Sequence, residues 1–159
     1  RYGLWLQEEA NGDRFFYYDL GGAGGNVRAS IQRNQWSHIA MAVTGSTVDI
    51  YLNGQNLGQT TTTRLRAPGG IFSLSGDSVN NQGFKGQIDN VKIWGNRLDG
   101  PEVIESMHTY ARGTLATTAN RTLLAHYDFN EFTEGVVLDR SGNSKNLTPT
   151  TSSIWTADS

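Results

Sequence analysis

The chain has 159 residues, a length suited to one domain, or one domain plus a piece of another. Its 13 Lys and Arg against 15 Asp and Glu give a net charge of −2, with no basic patch of the kind that nucleic-acid binding requires, and charged residues make up 18%, too few for a chain held unfolded by its own charge. The absence of cysteine excludes disulfides, thiolate zinc sites and a thiol nucleophile, and the longest apolar run, Ile39 to Val43, is too short for membrane insertion. Residue 1 is Arg and no signal peptide is legible, so the N-terminus is expected to be processed or cut from a longer chain.

Short strands separated by Gly, Asn and Asp turns dominate the pattern, which predicts an all-β sandwich or barrel. Tyr2–Glu8 and Arg14–Asp19 flank Asn11-Gly12, a strong hairpin signal because both central residues of the favoured turn need positive φ. With that pair at the centre, Leu6 faces Tyr17 and Trp5 faces Tyr18. Alternation then puts Trp5, Phe16 and Tyr18 on one face and Leu4, Leu6, Phe15 and Tyr17 on the other. Gly21–Asn26 reads as a flexible loop, followed by strands at Val27–Ile31, Gln35–Val43 and Thr47–Leu52. A second Asn-Gly, Asn53-Gly54, turns the chain into a strand over Asn56–Thr60, and the threonines to Thr63 end it. Ile71–Leu74 is a further strand, Gly76–Gly83 a polar loop, and Phe84–Trp94 a long strand with mixed faces. Asp99, then Gly-Pro-Glu with Glu102 three residues on, is a capping-box pattern that starts a helix running to about Tyr110. The small polar stretch 113–122 reads as a linker. A new strand starts at Leu123, an Asp/Asn turn follows at Asp139–Asn143, and a terminal strand is possible at Ser153–Thr156.

Taken in order, Gln35-Trp36-Ser37-His38-Ile39-Ala40, then Val48-Asp49-Ile50-Tyr51-Leu52-Asn53-Gly54, then Phe84-Lys85-Gly86-Gln87-Ile88-Asp89-Asn90-Val91-Lys92-Ile93-Trp94, and Arg97-Leu98 before the capped helix resemble the second half of a laminin G-like jelly-roll domain of the concanavalin A-like lectin/glucanase superfamily. The resemblance covers about residues 1–110 and implies an antiparallel jelly-roll β-sandwich with one short helix near 101–110. Leu124-Ala125-His126-Tyr127-Asp128-Phe129-Asn130-Glu131, followed by Leu138-Asp139-Arg140-Ser141-Gly142-Asn143, resembles the beginning of such a domain, yet it follows the helix. The organisation expected is therefore residues 1–112 as the C-terminal part of one domain and 113–122 as a linker. Residues 123–159 are then either the opening strands of a following repeat, the preferred arrangement, or permuted strands that complete the first domain.

The candidate chemistry is that of binding. Retaining glycosidases need two carboxyls about 5 Å apart, hence acids two or four apart on one strand face. Glu8 and Glu9 are adjacent and Asp89 has no acidic neighbour in its strand. The Glu-x-Asp-x-x-Glu strand of the superfamily's hydrolases is absent too, so no enzyme is expected. His38, His108 and His126 lack a metal-type partner at i+2 or i+4, and the resemblance gives His38 a packing role. Calcium takes oxygen ligands, which the 139–143 turn offers. The resemblance implies a structural calcium held by Asp139, Asn143 and Asp89. Trp5, Phe16 and Tyr18 form the candidate ligand platform, with Trp94 or Tyr51 extending it, because sugar C–H faces stack on aromatic rings. The reading is a non-catalytic extracellular or cell-surface recognition and adhesion module, binding glycan or surface-protein ligands within a larger protein. Neighbouring repeats or subunits are expected partners, nucleic acid and membrane insertion are not. The alternatives are a structural spacer of an adhesin or fibre, or an accessory domain of a polysaccharide-degrading enzyme.

Overall fold

The computed structural model describes residues 2–8, 14–20, 28–61, 74, 76–77, 82–84, 86–109, 121–130, 132–133 and 135–148. The all-β expectation holds: the described residues form antiparallel sheets with one short helix, the make-up of a jelly-roll β-sandwich. The strands are β1 (Tyr2–Glu8), β2 (Arg14–Leu20), β3 (Arg28–Ser30), β4 (Ile39–Thr44), β5 (Thr47–Leu52), β6 (Gln55–Thr61), β7 (Gly76–Asp77), β8 (Gln82–Gly83) and β9 (Val91–Trp94). Helix α1 (Gly100–His108) follows, then β10 (Leu123–Tyr127), β11 (Phe132–Thr133) and β12 (Val136–Val137). No described helix is long and apolar enough to cross a membrane.

The chain divides into two compact units, Arg1–Gly86 with Asp99–Met107, and Gln87–Leu98 with His108–Ser159. The first contains the sheets β1-β2-β3 and β4-β5-β6. Ala29 of β3 clusters with Val48 and Ile50 of β5, and Ile31, Ile39, Met41, Leu52 and Leu57 pack around them. β5 is the central strand of its sheet and is buried on both faces: Val48 and Ile50 on one, Asp49 and Tyr51 on the other.

Two local signals are realised as read. Leu52 pairs with Gln55 across Asn53-Gly54, whose φ angles are 50° and 80°, so the turn is the two-residue hairpin expected. The capping box at α1 is complete. The Asp99 N–H donates to Glu102 Oε2 at 2.7 Å, and the Glu102 N–H donates to Asp99 Oδ1 at 3.0 Å. Helix and hairpin meet at Gly54, where a Cβ would lie 2.9 Å from Ile104 Cγ1. Gly54→Ala therefore meets both a left-handed backbone and an occupied space. It is expected to lower stability by about 1–3 kcal/mol, read as a reduced urea midpoint. Gly45→Ala, at φ 54° with open space around the added methyl, should be milder.

Four expectations are corrected. The strand expected from Gln35 begins at Ile39, because a turn with Asn34 at φ 57° precedes it. The strand expected over Phe84–Trp94 is confined to Val91–Trp94, since Asn90 at φ 57° breaks extension immediately before it, and part of the expected loop 76–83 is the small β7–β8 pair. The β1–β2 register is shifted by one: Trp5 pairs with Tyr17 and Leu6 with Phe16. The last pair is Glu8 with Arg14, so residues 9–13, an odd number, connect the strands, and a one-residue slip moves side chains to the other face. Residues 71–73, most of the expected linker (113–120) and the expected strand 153–156 lie outside the described residues.

In the second unit β10 pairs antiparallel with β9, so the strand after the helix and the strand before it share one sheet. Ala125 and Tyr127 of β10 and Val137 of β12 form its core, with Val91, Ile93, Phe129 and Leu147 against them.

Candidate functional site

The three aromatic residues of the expected platform are located by strand pairing alone. Phe16 pairs with Ala29, and Ala29 is buried in the core of the first unit. In the same pairing Trp5 lies opposite Tyr17 and Tyr18 opposite Leu4. The side chains of Trp5, Phe16 and Tyr18 lie outside what the structure describes, so the platform stays an expectation.

The expected calcium ligands meet different fates. Asp139 accepts four hydrogen bonds. Its Oδ1 takes the main-chain N–H groups of His126 and Ser141, both at 2.9 Å. Its Oδ2 takes the Ser141 hydroxyl at 2.9 Å and the Lys145 N–H at 3.0 Å. Burial alone would raise this carboxyl, but the N–H groups of His126, Lys145 and Ser141 and the Ser141 hydroxyl outweigh it and hold Asp139 below the usual carboxylate range. Asn143 faces main chain with its amide nitrogen, donating to Leu123 O at 2.8 Å and Leu124 O at 3.2 Å. Asp89 is exposed and influences His126 and Lys92 by its charge. An ionised carboxylate has about four acceptor positions, and protein donors take all four on Asp139. The trio does not fit a calcium site built on Asp139, and the described residues contain no group of three or more His, Cys, Asp or Glu able to hold a metal.

What these residues build instead is a clasp on β10. The 139–146 turn grips that strand through Asp139 at His126, through Asn143 at Leu123 and Leu124, and through the Tyr127 hydroxyl, which donates to Lys145 O at 2.7 Å. The Asp139 N–H in turn donates to Asn146 Oδ1 at 3.0 Å. On the β9 side, the His126 ring Nε2 lies 2.8 Å from Asn90 Oδ1, and Nδ1 is buried without a partner. A proton on Nε2 fits this pair, with Nε2–H donating to Asn90 Oδ1. Burial, then the Lys92 charge, lowers the His126 pKa against the opposing pull of Asp128, Asp139 and Asp89.

Sequence reasoning passed over two features of the first unit. Asp49 is buried mid-strand, where the side-chain amides of Asn56 and Gln59 donate to its Oδ1 at 3.4 and 3.2 Å. Trp36 is 65% exposed on the turn that leads into β4. Two residues later, His38 is tied to the β5–β6 turn: its N–H donates to Asn53 Oδ1 at 2.9 Å and its carbonyl accepts the Asn53 N–H at 2.8 Å.

Residues 1–104 match a laminin G family model (Laminin_G_3) described as the concanavalin A-like lectin/glucanases superfamily. That is more than half of the chain, and the chain belongs to this family. Among solved structures it is similar to an S-layer domain-containing protein (residues 221–444) from Clostridium thermocellum, at 23% identity and a TM-score of 0.38. The match covers 64% of this chain and 54% of that one. No curated protein matches the chain.

Proposed function

We propose that this protein is a non-catalytic extracellular recognition module, part of a larger surface or secreted protein, that binds glycan or protein ligands. The family match over residues 1–104 carries the reading, since its description joins lectins to glucanases. The engagement of three carboxylates within the protein supports the lectin side of that description. Glu102 caps α1, Asp139 clasps β10, and Asp49 sits under two amides. A catalytic pair needs one carboxyl free to give a proton and another free to attack or to activate water. Asp139 and Glu102 instead accept from main-chain N–H groups.

The test is a screen of the purified protein on immobilised glycans and on extracellular-matrix and cell-surface proteins, with calcium and again with chelator. Saturable binding to either ligand class is expected. It should persist in chelator, because Asp139 is filled by protein donors, and the thermal midpoint should be the same in both conditions. A protein that binds nothing in either arm, or that cleaves a glycan, overturns the reading.

A further inference from the structure

We infer that the ligand site is the amide-rich end of the β4-β5-β6 sheet centred on Trp36, and that it takes neutral oligosaccharides. This rests on the proposed recognition function and assigns it a place. Residues 32–36, Gln-Arg-Asn-Gln-Trp, are exposed without interruption. An indole 65% open to water leaves one of the largest apolar surfaces a side chain can offer uncovered. The sheet end that follows it in the chain is fixed. His38 and Asn53 exchange two hydrogen bonds, and Gly54 of the same turn abuts Ile104 of α1. Trp36 lies two residues from this anchor, and an anchor so near in the chain reduces the ordering a ligand must impose.

The surroundings of the indole select the ligand. Protein hot spots are large side chains ringed by further contacts that exclude water. Trp36 instead has exposed amides before it in its own turn, Gln32, Asn34 and Gln35, and exposed Gln55 follows the Asn53-Gly54 turn. An amide offers both donors and an acceptor, the complement of a sugar hydroxyl, which does the same. A pyranose presents C–H groups on one face and hydroxyls at its rim, which fits a ring for stacking with amides beside it. The one charged residue of the turn, Arg33, already interacts within the protein. Arg33 apart, the exposed groups beside Trp36 in the sequence are uncharged amides, which favours neutral sugars over uronic or sulfated ones.

The experiment uses the whole chain with cellohexaose, laminarihexaose and maltohexaose as probes by calorimetry, beside a broad glycan and protein array. Binding of at least one neutral probe is expected. Trp36→Ala should weaken it about tenfold or more, the size of one stacking contact, while Trp36→Tyr restores part of it. The thermal midpoint of Trp36→Ala should match the parent, since an exposed ring holds little of the fold. Binding that survives Trp36→Ala, or that is confined to charged glycans or to proteins, overturns this site and leaves the recognition reading standing. Loss of binding with a lowered midpoint also overturns it, because the ring would then serve the fold. A chain that binds nothing on the array overturns both.

Discussion

Asp139→Ala is expected to lower the unfolding free energy by about 2–4 kcal/mol, with a matching fall in the urea midpoint. The carboxylate is the acceptor for three main-chain N–H groups and one hydroxyl, and two of those donors, on His126 and Lys145, belong to different segments of the second unit. Truncation strips a partner from all four at once. His126 is the most affected, because it is buried and its N–H has little access to replacement water. Asp139→Asn keeps the shape but puts an NH2 group where one oxygen accepted, so it should recover only part of the loss. Asp89→Ala, at an exposed position, should change stability by no more than about 0.5 kcal/mol. The contrast separates a clasp from a metal cage. If Asp139 and Asp89 shared a calcium ion, both substitutions would destabilise, and both effects would vanish in chelator. Equal effects of the two substitutions in calcium would overturn the clasp.

What the sequence disclosed and what it concealed follow from the range of the interactions. The Asn53-Gly54 turn and the Asp99–Glu102 cap are each decided within four residues, by positive φ in one case and by reciprocal donors in the other. Both were legible. The β1–β2 register depends on how many residues close the loop, which the Asn11-Gly12 signal does not fix, and the pairs stand one residue away from those expected. The oxygen-rich character of Asp139–Asn143 was visible, but its partners were not. Asp139 is used by His126 thirteen positions away and Asn143 by Leu123 twenty away, through main-chain groups that every residue possesses. No side-chain pattern marks such a partner. Trp36 was hidden for a related reason. It falls inside the stretch Gln35–Val43 that reads as strand, and the left-handed Asn34 delays β4 to Ile39 and leaves the indole on a turn. Asn90 likewise ends the apparent strand before β9 by its backbone, and then supplies the acceptor for His126.

His126 and Asp139 are expected to make stability fall in acid in two stages. The folded His126 has a pKa below its ordinary value of 6.5, from burial first and the Lys92 charge second. Below pH 6.5 the unfolded chain takes up a proton at this ring that the folded chain resists, so the His126 contribution is complete above 6.5 and is lost as pH falls through and below it. Protonation is resisted for a visible reason: it would place a charged N–H on Nδ1, buried and without an acceptor. Asp139 has the same sign in a lower window. Its folded pKa lies below 3.8, so its contribution is present above that value and lost as pH falls further. Urea midpoints measured from pH 8 to pH 3 should be flat above 7. They should decline below 6.5 with a slope of at most about 1.4 kcal/mol per pH unit for the single proton, and steepen again near 4. His126→Gln, which retains an amide donor toward Asn90 and cannot charge, should be less stable at pH 8 and show no first decline. A parent-like decline between pH 6.5 and 5 in that variant would assign the first stage to another group and break the link between the clasp and acid sensitivity.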